Sequence, residues 1–259
     1  VGDAGLDPDD DADTIAALLE ATDALAQGVD DAQAWDDLTV REQLQAEGFY
    51  DVLEHHKDFP PEWSALKVWE DRGNAEMILL ALDKFDSDFM EEHCLNALRR
   101  MGPEQAIEPM LDRAGRRDQP AIEILGKIGS DEALETLLEY TGEDSDDGLR
   151  RVTFKALGEI GSGEATQAVA DGLAAEADSV RSQAARALGM IGDTRAIDPL
   201  ADVLENDDSD TVRASAAWAL NQIGTRAALE AAAEYADDRA YIVQAEAEKA
   251  ADAIGTAAA

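Results

Sequence analysis

The stretch "ALGMIGDTRAIDPL", residues 187–200, decides the fold because the chain repeats it. Variants of it stand as "ALRRMGPEQAIEPM" at 97, "ILGKIGSDEALETL" at 124, "ALGEIGSGEATQAV" at 156 and "ALNQIGTRAALEAA" at 219. The glycine of each phrase sets a common frame: Gly102, Gly129, Gly161, Gly192 and Gly224, with Gly255 continuing it. The steps between them are 27, 32, 31, 32 and 31 residues. Self-similarity at a fixed period of this size is the mark of a helical solenoid.

Apolar residues within each copy recur at helical spacing. Ahead of the fourth glycine they are Val180, Ala184, Ala185, Leu188 and Ile191; ahead of the fifth they are Val212, Ala216, Ala217, Leu220 and Ile223. The glycine is expected to end this first helix in the left-handed conformation that glycine alone adopts cheaply. A second helix follows, with apolar residues at plus 4, 5, 8 and 9, as in Ala196, Ile197, Leu200 and Ala201. The fold class is therefore all-α: a right-handed α-solenoid, or superhelix, of antiparallel helix pairs with repeats of about 31 residues. Residues 88–259 carry five such repeats plus a C-terminal helix, and residues 1–87 form a divergent N-terminal helical cap continuous with them.

The N-terminal part is less regular. "SALKVWEDRGNAEMILLAL" at 64 reads as a divergent copy, because Ala65-Leu66 lies 32 residues before Ala97-Leu98. "LTVREQL" at 38 echoes "DTVRASA" at 210, and "DTIAALLEATDALAQG" at 13 reads as one amphipathic helix ending at Gly28. Aromatic residues gather here: Trp35, Phe49, Tyr50, Phe59, Trp63, Trp69, Phe85 and Phe89. A terminal repeat must cover a core that its neighbours otherwise cover, and large side chains suit that task; a partner-docking patch is the alternative.

The segment "DSVRSQAARALGMIGDTRAIDPLADVL" resembles a HEAT-like repeat of the phycobilin-lyase type. The resemblance covers roughly residues 88–259. The second copy departs from it, with a short first helix near Pro120 and "GRRDQ" in place of the Asp-Arg entry. What the resemblance implies is a non-catalytic scaffold or adaptor that binds another protein. The alternative it offers is a bilin lyase-like or chaperone-like protein acting on a cofactor-bearing partner. The HEAT-repeat deoxyhypusine hydroxylases hold two irons with several His-Glu pairs. This chain has no His-Glu dipeptide and only His55, His56 and His93, so that activity is not expected.

The charge balance narrows the partners. The net charge is -37, with 58 acidic residues against 21 Lys and Arg. Such a surface repels nucleic acid, whose phosphates need clustered Lys and Arg, and disfavours an anionic membrane. Many Asp, few Lys and much Ala resemble the cytosolic proteins of halophilic archaea, where molar salt shortens charge repulsion to roughly 3 Å. No signal-peptide pattern opens the sequence at Val1 and no 18-residue apolar run crosses it, so a cytoplasmic location is expected. With one cysteine, Cys94, no internal disulfide can form. Cys94 shares the frame of Ala184 and Ala216, which makes it a core thiol, and His93 beside it faces outward. "DPDDDAD" at 7 and "DSDDG" at 144 lack the Gly at position six and the Glu at position twelve of a calcium loop. No nucleophile elbow, phosphate loop or dinucleotide fingerprint is present. The chain is therefore read as not an enzyme, with no metal, no cofactor and no small-molecule ligand.

Three sets of charged residues are locked to the frame. First helices open on Asp147, Asp178 and Asp210, read as N-caps, with Arg150, Arg181 and Arg213 three residues on. An Arg in a first turn opposes the helix dipole, so its recurrence suggests a structural ladder answered by an acid on the next repeat. Second helices carry Glu108, Glu135, Gln167, Asp198 and Glu230 at plus 6, and Asp112, Glu139, Asp171, Asp202 and Glu234 at plus 10. Residues four apart share a helix face, so stacked repeats would form two acidic rows, on the concave face in solenoids resembling this one. Such rows suit a basic segment of another protein; general halophilic acidity is the plainer account. Last, Arg99, Arg100, Arg113, Arg116 and Arg117 cluster around the second copy, to receive an acidic partner or to clamp the acidic rows of their own neighbours.

Overall fold

The computed structural model describes residues 11–31, 37–53 and 60–257. Among them every regular element is helical, with no strand. The chain divides into two compact units, Val1–Glu54 and His55–Ala259.

The first unit contains α1 (Ala12–Asp31) and α2 (Val40–Ala46). Helix α1 runs past Gly28, where the sequence suggested a stop; nothing after that glycine reverses the chain, and "VDD" continues the helix. Helix α2 begins with a capping box: the Glu42 backbone N–H donates to Thr39 Oγ1, and the Thr39 N–H donates back to Glu42 Oε2 at 2.8 Å. This reciprocal arrangement satisfies two donors that a helix start otherwise leaves free. Leu44 and Phe49 are fully buried and Tyr50 nearly so.

The second unit is built of helix pairs. The first pair is α3 (Pro61–Asp71) and α4 (Ala75–Lys84), turned at Gly73. Its Ala65 and Leu66 are as buried as Ala97 and Leu98 of the next repeat. Five repeats follow. Their first helices are α5 (Asp88–Met101), α7 (Gln119–Ile128), α9 (Asp147–Ile160), α11 (Asp178–Ile191) and α13 (Asp210–Ile223). Their second helices are α6 (Ile107–Ala114), α8 (Leu134–Leu138), α10 (Thr166–Asp171), α12 (Ile197–Asn206) and α14 (Arg226–Ala233). Helix α15 (Tyr241–Ala257) ends the series.

One local device makes every turn. Gly102, Gly129, Gly161, Gly192 and Gly224 all have φ between 59° and 76°. Each glycine N–H donates to the carbonyl of the leucine four residues earlier, Leu98, Leu125, Leu157, Leu188 and Leu220. This is the left-handed cap that satisfies a carbonyl orphaned at a helix end. In the first four repeats a single 3-10 turn then leads into the second helix, and its alanine (Ala106, Ala133, Ala165, Ala196) is fully buried. Gly255 differs from the other five. It lies inside α15, because Thr256 and Ala257 continue the helix and the Thr256 hydroxyl donates to the carbonyls of Asp252 and Ala253.

Successive first helices stack on one another, α5 on α7, α7 on α9, α9 on α11, α11 on α13 and α13 on α15. Second helices meet as α6 with α8 and α12 with α14. The seam between first helices is unusually close. A β-carbon at Gly126 would lie 2.6 Å from Ala156 Cα, one at Gly158 2.9 Å from Ala187 Cα, and one at Gly189 2.7 Å from Ala219 Cα. Backbones can approach this far only where the facing residues are glycine and alanine. Gly172 serves another purpose, receiving the ring of Phe154, whose Cζ would stand 2.4 Å from a β-carbon there.

Candidate interaction surface

The ladder arginines lie deep. Arg213 is 7% exposed and sits between two turns. Its Nε donates to the Leu204 carbonyl at 2.9 Å, and its terminal nitrogens bond both oxygens of Asp238 and reach Asp210 at 3.2 Å. Arg181 holds Asp207 with Nε and one terminal nitrogen, at 2.7 and 3.0 Å, reaches Asp178 at 3.0 Å, and donates from the other terminal nitrogen to the Ala175 and Glu176 carbonyls. The two distal acids are fixed in turn, since Asp207 Oδ1 accepts from Ser209 N and Asp238 Oδ1 from Ala240 N, each at 2.8 Å. For Asp238 the Arg213 hydrogen bonds dominate and hold the carboxyl below its ordinary range. Asp207 is also lowered: burial raises it, but the bonds from Arg181 and Ser209 together outweigh that.

Arg150 is 8% exposed and differs from the other two. Its Nε donates to Thr141 O at 3.2 Å, and it forms no ion pair among the described residues. Asp147, Asp178 and Asp210 are the first helical residues, not the caps. The cap position is one earlier, where Asp146 accepts from Leu149 N at 3.0 Å while Ala177 and Ser209 make no side-chain cap bond. Beginning the helix one residue sooner points Asp178 and Asp210 at the arginine three residues on rather than at their own helix N–H groups.

The basic cluster comes apart into separate roles. Arg113 lies between Glu91 and Asp118, bonding both, at 2.6 Å in the case of Asp118. Glu91, Asp118, Arg150, Arg181 and Arg213 each stand 11 residues before their glycine. The first two repeats thus carry the ladder with reversed sign, the acids on first helices or their caps and the arginine on a second helix. Arg99 bonds Glu123 of α7 at 2.6 Å, and Arg100 bonds Glu70 of α3 at 2.5 Å. None of these acids belongs to the plus 6 or plus 10 rows. Arg116 is exposed and donates to the Asp112 carbonyl at 3.3 Å. Arg117 has a left-handed φ of 63° and stands 5.9 Å from the Tyr140 ring.

The row acids Glu108, Asp112, Glu135, Glu139, Asp171, Asp198, Asp202, Glu230 and Glu234 are all exposed. Glu230 pairs with Arg226, Asp171 accepts from Gln167, and Asp202 accepts from Asn206. The remaining six have no side-chain partner among the described residues.

A loop contact outside these sets joins two repeats. Asp193 accepts from the Arg195 backbone and side chain and from the Thr166 hydroxyl at 3.1 Å. The Arg195 hydrogen bonds, first among these, lower its carboxyl to about 2. Arg195 also reaches back to the Gly163 carbonyl at 2.5 Å.

Cys94 is fully buried, and burial pushes its thiol up to about 12. His93 is half-buried, its ring 4.1 Å from that of Phe89 and 6.5 Å from that of Trp63. His55, His56, Trp35, Phe59 and residues 7–10 of the acidic N-terminal run lie outside the described residues. No group of three or more metal-ligating side chains occurs among the described residues, and no described helix is long and apolar enough to cross a membrane.

Stacked antiparallel helix pairs with a left-handed glycine at each turn define an α-solenoid repeat protein. The chain belongs to the HEAT repeat family, whose repeats match residues 118–184 and 170–252, more than half of its 259 residues. No curated protein matches it. Among solved structures it is similar to the complex of CpcE and CpcF of phycocyanin lyase from Nostoc, at 18% identity over 87% of this chain and 96% of that one, with a TM-score of 0.46. Human deoxyhypusine hydroxylase in complex with glycerol shares 23% identity over 83% and 96%, with a TM-score of 0.38. A designed armadillo repeat protein in complex with a (KR)4 peptide shares 16% over 82% and 93%, with a TM-score of 0.40. None of these likenesses bears on activity or partners.

Proposed function

We propose that the chain is a non-catalytic interaction scaffold whose second helices present two rows of carboxylates to a cationic segment of another protein. The observation that carries this reading is a division among the acids. Six acids of the first helices and the loops before them, Glu70, Glu91, Asp118, Glu123, Asp207 and Asp238, are held by arginines, while Asp88, Glu92 and Asp147 there are exposed and unpaired. Those at plus 6 and plus 10 of the second helices are exposed, and six of nine have no side-chain partner among the described residues. An incoming Lys or Arg therefore displaces no internal ion pair at those six. In molar salt long-range steering is screened, so affinity comes from direct contact and from two-pronged Arg–carboxylate pairing.

The test uses a C-terminally amidated peptide of alternating Lys and Arg. One variant changes Glu139→Gln, Asp202→Asn and Glu234→Gln; a control changes exposed acids outside the rows, Glu92→Gln on α5 and Glu248→Gln and Asp252→Asn on α15. Exposed pairs contribute about 0.5 kcal/mol each, so the row variant should bind about tenfold more weakly and the control within about twofold. Equal losses in the two variants would reduce the rows to general surface acidity.

A further inference from the structure

Arg150, Arg181 and Arg213 occupy one position of three successive repeats. Arg181 and Arg213 are answered by an aspartate three residues ahead of the next first helix, Asp207 before α13 and Asp238 before α15. Three residues ahead of α11 the chain has Ala175 instead. Part of the arrangement is retained at Arg150, although Asp147 three residues ahead does not pair with it as Asp178 and Asp210 pair with theirs. Its Nε donates to the carbonyl nine residues back, as that of Arg213 does. Its guanidinium stands 5.9 Å from the ring of Phe154 on its own helix; that of Arg213 stands at the same distance from Tyr235, which comes from a different place in the frame. Yet its two terminal nitrogens meet no acceptor among the described residues, although the side chain is more than nine-tenths buried.

Arg150 lines two cavities. One, of about 230 Å³, is lined by Arg150, Thr141, Glu143, Asp171 and Ala175. The other, of about 540 Å³, is lined by Arg150, Glu143, Asp147 and Glu176. The terminal nitrogens keep contact with solvent there, but a guanidinium packed this deeply gives up much of its hydration with no counter-charge from the chain in return. The other ladder sites avoid that cost with a carboxylate from the chain, and here the same place holds an alanine methyl beside open space.

We propose that the Arg150 cavity binds a ligand carboxylate that carries a cationic group beside it, as in an amino acid or the C-terminal residue of a peptide. Arg150 takes the carboxylate on its two terminal nitrogens, in the manner of Asp238 on Arg213. Glu143 and Asp171 on the wall take the cation. The cation is needed because Glu143, Asp147, Asp171 and Glu176 together repel a bare anion. The site shares Asp171 with the plus 10 row but requires Arg150, which belongs to neither row.

The test compares acids with their amides by titration calorimetry in molar KCl. The probes are the Lys-Lys dipeptide with a free C-terminus against its C-terminal amide, and L-lysine against L-lysinamide. At a net charge of -37 the general field favours the amide, which carries the more positive charge. The expected result is the opposite, an acid at least about tenfold tighter than its amide, because only the acid completes the charge-assisted pair. Preference confined to the dipeptide assigns the site to peptide ends, and preference with lysine assigns it to free amino acids; either supports the site. Ala175→Asp supplies the carboxylate from the chain itself, so it should abolish the preference while raising the unfolding midpoint. Equal or amide-favouring affinity in the unaltered chain overturns the proposal, as does binding by neither acid. An Ala175→Asp variant that keeps the preference overturns it too.

Discussion

Gly158 faces Ala187 across the seam between α9 and α11, so closely that a β-carbon on the glycine would lie 2.9 Å from the alanine Cα. The neighbour is backbone and cannot move aside without separating two helices. Inside an ordinary helix, Gly→Ala stabilises by up to about 1 kcal/mol. Here the sign reverses. Gly126→Ala, Gly158→Ala and Gly189→Ala should each destabilise by about 2–3 kcal/mol through overpacking. Gly255→Ala, with nothing within 4 Å of the added carbon, should stabilise. Denaturant midpoints of the four variants check this, and a destabilised Gly255→Ala would contradict the contrast.

The paired ladder gives a second expectation. In the Arg213–Asp238 pair both side chains are 9% exposed, so removing one partner leaves a buried charge unanswered. Asp238→Ala should cost about 3 kcal/mol. Arg226→Ala removes an i,i+4 pair whose side chains are 84% and 52% exposed and should cost about 0.5 kcal/mol or less. Urea unfolding of the two variants separates the cases.

Asp193 sets an acid limit. Its carboxyl is lowered from 3.8 to about 2, first by the hydrogen bonds of Arg195. A folded-state value below the unfolded one contributes stability that is present above pH 3.8 and lost as pH falls through about 2. Asp193→Asn removes that contribution, so its melting temperature should fall less steeply than that of the unaltered chain between about pH 4 and pH 2. Parallel curves would show that the Asp193–Arg195–Thr166 contact adds nothing to stability.

Thr153 marks a local misfit. Its side chain is fully buried and its hydroxyl has no hydrogen-bond partner, at the frame position held by Ala184 and Ala216 in the next repeats. Thr153→Val keeps the volume and removes the unsatisfied group, and should raise stability by about 1 kcal/mol. Thermal unfolding measures it.

The repeat was legible because glycine, leucine and alanine recur in one frame and each has a single physical task there. Gly126, Gly158 and Gly189 stand in the same phrases, yet their meaning depends on the alanine of the following copy. Nothing within one copy shows that task, and only the distance across the seam explains them. The entry aspartates were off by one position because an Asp at the cap and an Asp at the first helical residue look alike in a string. Arg113 looked like part of a basic patch since its partners, Glu91 and Asp118, lie in different copies around the irregular "GRRDQ" segment. The acidic rows needed only the frame. The Arg150 cavity needed the partner of each neighbouring arginine, which no spacing within one repeat reveals.

Salt dependence can be followed at a single atom. Cys94 is the chain's one cysteine and is fully buried, with its thiol pushed up to about 12 by burial first and by Glu91 second. The thiolate is the reactive form, so alkylation at neutral pH requires opening of the α5 region. The net charge of -37 opposes compaction through self-repulsion. The exposed row acids Glu108, Asp112, Glu135, Glu139, Asp198 and Glu234 contribute to that repulsion, since their carboxylates form no ion pair among the described residues. Molar KCl reduces the screening length to about 3 Å and suppresses the repulsion while leaving the buried Arg213–Asp238 contact in place. The alkylation rate of Cys94 should therefore fall by at least about tenfold from dilute buffer to molar KCl, equivalent to about 1.4 kcal/mol of opening free energy. Neutralising Glu139, Asp202 and Glu234 together should recover part of that protection in dilute buffer. A rate indifferent to salt, with the protein folded throughout, would show that packing along the glycine–alanine seam outweighs the repulsion at every ionic strength.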